Sequence, residues 1–553
     1  MINKLINRFL LLAVVAFLVQ SCAKKLDLFP QNDLTPDKAY ANASGYKSVL
    51  AKIYGSLASG GNGGNGSDPG GNPDISGGLD EGSQIAFIRP FFNCQELPTD
   101  EAMCGWNDQT IKDYHSLKWT PADPFLKGMY ARPIWNITLI NEYLRESTDE
   151  KLAGRGITGT DADDIKKSRA EVRFLRAFNY WIMLDLFGKS TFITEDNLVG
   201  TDLPTEISRT NLFTYIETEL KAIENEMPAV KTAVYGRVDQ GALWALLARL
   251  YLNAQVYTGT AKWNEAVTYA KKVIDGGYQL IQTPVGAYSG YAQVFMADND
   301  KHRNEIIFTV ECDGLTLKSY GNTTFFVNAA SGADKADFFQ GGASGWTGYV
   351  ATKGLADRFT DLTGNTDKRA MFTTSLYGTS NLTIPSLEQD ILFGGGLHIR
   401  KYVNKRSDGL DVRDVSQRTF ADIDFPVFRL SEMYLIYAEA VLRGGTTGNA
   451  ATALTYVNLV RTRAYGGSAS GNITAGELTL QFILDERARE LYWEGHRRTD
   501  LIRYGQLTTN AYIWPWKGGV SSGTAVDSKY NLFPIPASVL SSNPNLTQNA
   551  GYN

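Results

Sequence analysis

The chain has 553 residues, 43% hydrophobic and 20% charged, the balance of a globular protein with room for one large core or several ordinary domains. Its formal charge is −5, from 54 Lys and Arg against 59 Asp and Glu, which lacks the basic footprint that phosphate-backbone binding needs and so excludes nucleic acid as a main partner. Aromatics reach 12%, with 10 Trp and 28 Tyr, a high content: most of these rings belong in the core, and some are free to form exposed platforms.

Residues 1–21 read as a leader. Lys4 and Arg8 precede an unbroken apolar run over 9–19, too short to span a bilayer comfortably. Val19, Gln20 and Ser21 then lead to Cys22, a pattern that resembles a bacterial lipoprotein signal, in which the Cys22 thiol is acylated and becomes the new N-terminus. An ordinary cleaved signal is the other reading. Diacylation with an amide-linked chain anchors durably, because each buried CH₂ contributes about 0.8 kcal/mol. Loss of Lys4 and Arg8 with the leader takes the formal charge from −5 to −7. Three cysteines remain, Cys94, Cys104 and Cys312; Cys94 and Cys104 either pair in an oxidising compartment or stay as buried thiols, and an odd count cannot pair fully.

Residues 22–34 form a tether. Thr35 and Pro36 look like an N-cap and first helical residue, and the apolar positions from Ala39 to Leu57 recur at three and four, which predicts one helix ending near Gly60. Residues 59–78, rich in Gly, Asn, Asp and Pro, read as a loop, and 80–121 as mixed loop structure. Helices are predicted over 123–147, over 161–187 with apolar residues on more than one face, and over 208–227. Two similar helix pairs follow, 241–256 with 262–275 and 430–442 with 449–463. Alanines stand at their close-packing positions, the logic of tetratricopeptide hairpins without the strict consensus. A last helix is expected over 475–504. Between the pairs, 305–311 reads as a strand in an otherwise irregular stretch, and long irregular loops on a helical scaffold are often functional.

The fold class expected is therefore mainly α: a tetratricopeptide-like helical-hairpin scaffold with a large loop-rich insertion. Residues 35–553 form one domain, with its scaffold in 35–58, 123–277 and 428–505 and its loop-rich part in 59–122 and 278–427.

Five blocks occur in order: AEVRFLRAF (170–178) with LDLFG (184–188); GRVDQGA (236–242) with LLARLYL (246–252); FRLSEMYLIYAEA (428–440); DERAREL (485–491) with EGHRRTDL (494–501); and FPIP (533–536) with NLTQN (545–549). With the leader, they resemble the SusD/RagB family of surface glycan-binding lipoproteins. NCQELPTDE (93–101), YLNAQVYTG (251–259), FMADND (295–300), RSDG (406–409) and WKGG (516–519) resemble its starch-binding members more closely.

The resemblance implies about four tetratricopeptide-like units and a non-catalytic protein, lipid-anchored at the outer-membrane surface. It would capture starch or malto-oligosaccharides and hand them to a SusC-like TonB-dependent transporter. It also implies an arc of rings against the glucan at Trp106, Tyr320 and Trp346. Asp80 and Arg89 would be polar partners, with Gln109 or Asn107 in place of the family's asparagine. A structural calcium ion is implied at Asp300, Asp422 and Asp424 with the carbonyl of Phe420, in keeping with the all-oxygen shell that Ca²⁺ takes. The alternative is a transporter lid or assembly subunit for another glycan or a peptide. An enzyme is disfavoured: His115, His302, His398 and His496 are scattered, and the GxSxG at 519–523 lacks the strand and helix of a nucleophile elbow.

Overall fold

The computed structural model describes residues 35–61, 73–75, 78–197, 200, 203–330, 345–346, 348–373, 397–413, 415 and 419–552. The leader, Cys22 and the tether lie outside them, as do parts of both loop-rich stretches. The first predicted helix is two: α1 (Pro36–Ala39) and α2 (Ala43–Gly55). Asn42 between them is extended, and its side chain accepts the Gly45 N–H at 3.1 Å, so a fresh N-terminus starts where the apolar spacing ran on.

Residues 80–121, expected as loops, hold a π-helical turn over Glu81–Ile85, helix α3 (Ile88–Glu96), strand β1 (Ala102–Cys104) and helix α4 (Gln109–Ser116). Nearly all of α3 is buried, its polar side as well as the face of Ile88, Phe91 and Phe92. Its polar residues are paired inside: Gln95 donates to Asp185 at 2.8 Å, and Asn93 accepts from the Tyr349 hydroxyl at 2.9 Å.

Helix α5 (Pro124–Glu146) starts at Asp123, which caps Leu126 N–H at 2.9 Å, with proline at the first position. Helix α6 (Gly159–Leu186) is buried through most of its length, as its two-faced apolar pattern predicts. Helix α7 (Arg209–Ile223) ends before the predicted limit, α8 (Gln240–Leu252) stops at Asn253, and α9 (Trp263–Asp275) completes the first pair. The irregular stretch contributes β2 (Ile306–Val310), α10 (Thr323–Ala329), β3 (Tyr349–Ala351) and β4 (Phe425–Arg429). Helices α11 (Leu430–Leu442) and α12 (Ala450–Ala464) make the second pair.

The single helix expected over 475–504 is α13 (Leu480–Leu491) and α14 (Arg497–Arg503). The chain turns between them through Trp493 at φ 62° and Gly495 at φ 82°. A Cβ on Gly495 would lie 2.5 Å from the Phe91 ring, so both the backbone sign and the close approach to α3 call for glycine. Glu96 accepts the N–H groups of Gly495 and His496 at 2.7 and 3.2 Å and so satisfies the start of α14.

Each scaffold helix packs on its neighbour: α5 on α6, α6 on α7, α7 on α8, α8 on α9, α9 on α11 and α11 on α12. The fold is mainly α. Fully buried Ala266, Ala270, Ala438 and Ala440 allow the two pairs to approach closely. Asn264 of α9 accepts N–H bonds from Thr446 and Thr447 of the second pair's turn at 2.7 and 3.2 Å. One contiguous apolar core joins the scaffold to the insertion. Two antiparallel ladders hold the insertion in place: β2 on β4, with register shifts, and β1 on β3.

Candidate functional site

The β1–β3 ladder pairs Cys104 with Tyr349 and continues as a Gly105 N–H bond to the Gly348 carbonyl at 2.9 Å. Trp106 therefore leaves β1 beside Gly348, half-buried, edge-on to the Tyr349 ring at 5.2 Å. A Cβ at Gly348 (φ 146°) would fall 2.3 Å from the indole nitrogen, so only glycine lets the ring lie there. The Arg89 guanidinium lies 5.3 Å from the Trp106 ring centroid and 4.9 Å from that of Phe325.

Arg89 also links Trp106 to the other rings, because its backbone N–H donates to the carbonyl of Gly321, next to Tyr320, at 3.0 Å. The half-buried rings of Tyr320 and Trp346 lie 5.7 Å apart, tilted at 59°, and Tyr320 rests 4.9 Å from the buried ring of Phe420. Trp346 is fixed by its N–H to the Asn328 carbonyl at 2.7 Å, off the end of α10. Asp80 caps the π-helical turn, accepting from Ser83 N–H at 2.7 Å, and Gly82 of that turn packs under the Cβ of Tyr320. Asn107 and Gln109 are exposed at the start of α4, where Asn107 accepts from Lys112 at 2.6 Å and Gln109 donates to Asp113 at 2.8 Å.

The structure thus gathers Tyr320, Trp346 and Asp80 at one place and joins Arg89 and Trp106 to it. Phe420, marked from sequence for its carbonyl alone, also supplies a ring beneath Tyr320. Sequence gave no signal for Phe325 behind Arg89, since a Phe-Phe pair in a helix reads as core.

The oxygen-rich cluster lies behind this surface. Asp422 accepts from Gly314 N–H at 2.9 Å and Arg413 N–H at 2.6 Å, and Asp424 accepts from Cys312 N–H at 2.8 Å and from the Tyr235 hydroxyl. Gly314 packs against the Phe420 carbonyl, while Asp300 is exposed. Among the described residues no three His, Cys, Asp or Glu side chains converge as a ready metal cage. Burial pushes Asp424 up to about 7, the charges of Glu311 and Asp300 add to the rise, and Tyr235 and Cys312 oppose it. The donors are all oxygen, the chemistry a hard cation takes, and Arg413, paired with Asp313, is the cation now facing Asp422 and Asp424.

The histidines do other work. His115 accepts Cys104 N–H on Nε2 at 2.9 Å and meets the Leu97 carbonyl through Nδ1 at 3.1 Å, bracing β1. Burial lowers it to about 4, so it is neutral, with the proton on Nδ1. The GxSxG segment follows a short 3₁₀ turn over Lys517–Gly519 and runs on irregularly with Ser521 and Ser522 exposed, which is no nucleophile elbow. Cys94, Cys104 and Cys312 are buried free thiols.

A helical scaffold of this order, with its insertion and ring cluster, defines a class: the chain belongs to the SusD family. The family's sequence model matches residues 391–552. The chain is 36% identical to the starch-binding protein SusD of Bacteroides thetaiotaomicron over 98% of each chain. It is 24% identical to the SusD-like protein P25 of Formosa agariphila over 99% of each. Among solved structures, a SusD superfamily protein of Parabacteroides distasonis superposes with a TM-score of 0.66 at 21% identity, over 92% of this chain and 99% of the other. The surface glycan-binding protein A of B. thetaiotaomicron, solved with laminarihexaose, gives 0.66 at 19% identity over the same shares.

Proposed function

We propose that the protein is a non-catalytic, lipid-anchored surface subunit that captures starch or malto-oligosaccharides and delivers them to a SusC-like TonB-dependent outer-membrane transporter. The observation that carries this reading is the gathering of half-exposed Tyr320 and Trp346, over Phe420, with Trp106 held through Arg89. Pyranose rings present flat C–H faces, and tilted aromatic rings with a planar guanidinium suit a curved α-glucan. The 36% identity to a starch-binding relative favours that glucan. The anchor in this reading is Cys22, which ends the lipoprotein-like leader, and no helix among the described residues is long and apolar enough to cross a membrane. Calorimetry with maltoheptaose tests the proposal, with laminarihexaose as the comparison: saturable binding of maltoheptaose is expected, and none at millimolar ligand would sink it.

The second element is calcium, with Asp300, Asp422, Asp424 and the Phe420 carbonyl as its holders, where the ion would supply positive charge to the cluster. Calcium added to chelator-treated protein is expected to raise stability by about 2.7 kcal/mol at a hundredfold excess over Kd. Scanning calorimetry reads this as a higher Tm, absent in Asp422→Asn. Equal Tm values with calcium and with chelator would rule the ion out.

A further inference from the structure

Two buried carboxylates stand directly beneath the strand that carries Trp106. Glu96 ends α3 and Glu101 precedes β1, and the turn between them is tight: Thr99 donates through both its N–H and its hydroxyl to the Glu96 carbonyl at 3.1 and 2.6 Å, and its hydroxyl accepts from Glu101 N–H at 3.2 Å. Both acids are essentially without solvent contact. Glu96 Oε1 accepts from Gly495 and His496, and Glu101 Oε1 lies 3.6 Å from Arg497. The remaining oxygen of each, Oε2, is buried without a partner. The two side chains are in hydrogen-bond contact with each other, and two touching carboxylates that each keep a buried, unpartnered oxygen are what a missing proton between them produces.

The neighbours do not remove the need for that proton. Asp100 takes Arg497 through two bonds at 2.7 and 2.9 Å, Arg358 at 2.9 Å and the Tyr512 hydroxyl at 2.7 Å, so those cations are already engaged. Lys401 is bound to Glu494 at 2.6 Å, Tyr402 donates to the Trp493 carbonyl, and burial keeps His496 neutral. Burial raises both Glu96 and Glu101, and the charge of Glu96 raises Glu101 further.

We propose that Glu96 and Glu101 share one proton, and that this acid–carboxylate bond is what sets β1, and with it Trp106, against α3. The link from the pair to the ring is short. The Glu101 carbonyl accepts Thr352 N–H at 3.2 Å at the foot of the β1–β3 ladder, and Trp106 leaves the other end of the same strand. Loss of the proton would place two anions face to face and push the strand from the helix. The proton sharing stands on the burial, contact and orphaned oxygens of the two acids; its bearing on glycan rests on the function proposed above.

Glu101→Gln tests it, because the amide donates to Glu96 as the acid did but has no proton to lose. The carboxyl groups are raised in the folded state, so their contribution to stability is complete below the ordinary carboxylate pKa of 4.5 and is lost as pH rises through about 7 and beyond. Wild type is expected to lose Tm as pH rises from about 5 through about 7, and Glu101→Gln to lose distinctly less over that range. An infrared band of protonated carboxylic acid at neutral pH, weaker in both Glu101→Gln and Glu96→Gln than in wild type, would report the shared proton above the contribution of other raised acids such as Asp424. Fluorine NMR of fluorotryptophan-labelled protein, with the Trp106 signal assigned through Trp106→Phe, is expected to move with pH in wild type and to stand still in Glu101→Gln. Identical band intensity in wild type and both variants overturns the shared proton. A Trp106 signal with the same pH response in both proteins overturns its positioning role. Both readouts are taken without glycan, so a failure to bind maltoheptaose would count against the proposed function and leave these results standing.

Discussion

Replacing Arg429 with methionine is expected to destabilise the protein by about 3–5 kcal/mol, the range for breaking a buried ion pair by removing one partner. Arg429 stands on β4 with its side chain almost wholly buried and reaches two helical segments at once. It donates to Glu494 at 2.6 and 2.7 Å, to the Glu490 carboxylate at 2.5 Å, to the Glu490 carbonyl at 2.6 Å and to the Ser431 hydroxyl. Burial alone would raise Glu490, yet Arg463, Arg429 and Arg369 together hold it down at about 2. Methionine fills similar space but leaves one buried negative charge in excess. Chemical denaturation at neutral pH reads the loss. The deficit should shrink as pH falls, because the unmatched carboxylate, its pKa now raised, can take up a proton that wild-type Glu490 refuses. Arg429→Met combined with Glu494→Gln should cost less than the two changes added, since each removes the other's partner. A pH-independent deficit, or strict additivity, would mean that packing and not charge sets the effect.

That ionic junction explains one part of how far the fold could be read from sequence. The hairpin helices were legible because their apolar spacing meets one core: the strand expected over 305–311, α6 and the 430–442 helix appear within a residue or two. The failures fall where polar residues are buried and paired. Helix α3 is short, and although Ile88, Phe91 and Phe92 share one face, it also hides Asn93, Gln95 and Glu96 inside, where polar residues read as solvated loop. The break between α13 and α14 depends on Glu96 accepting two N–H groups from a segment about four hundred residues away, which no local signal carries.

The site was legible in a different way. Trp106, Tyr320 and Trp346 came from a family resemblance and not from spacing, since a lone Trp in a loop carries no periodic signal. What resemblance did not supply is how the rings are held: the glycine that admits the Trp106 indole, the Arg89 plate between Trp106 and Phe325, and Phe420 under Tyr320. Those supports are long-range contacts between α3, the insertion and the segment before β4, visible only once the chain is folded.

Those supports also decide which substitution should hurt glycan capture most. Trp106→Ala is expected to weaken maltoheptaose binding by about 2 kcal/mol, roughly thirty-fold in Kd, the loss found when a central aromatic anchor is truncated. Trp106 is braced by the Tyr349 edge, the Gly348 backbone and Arg89, so little ordering remains to oppose binding. Its removal also leaves Arg89 facing the ligand without its ring. Gln109→Ala should change Kd by less than about threefold, because Gln109 is exposed and already donates to Asp113 on its own helix. Calorimetry on the two variants, with circular dichroism to show that each is folded, separates the cases. A Trp106→Ala protein that binds as wild type, while Gln109→Ala does not, would move the glucan off the rings and onto the start of α4. A loss confined to Trp106→Ala would place the sugar face on the indole, where the β1–β3 ladder holds it.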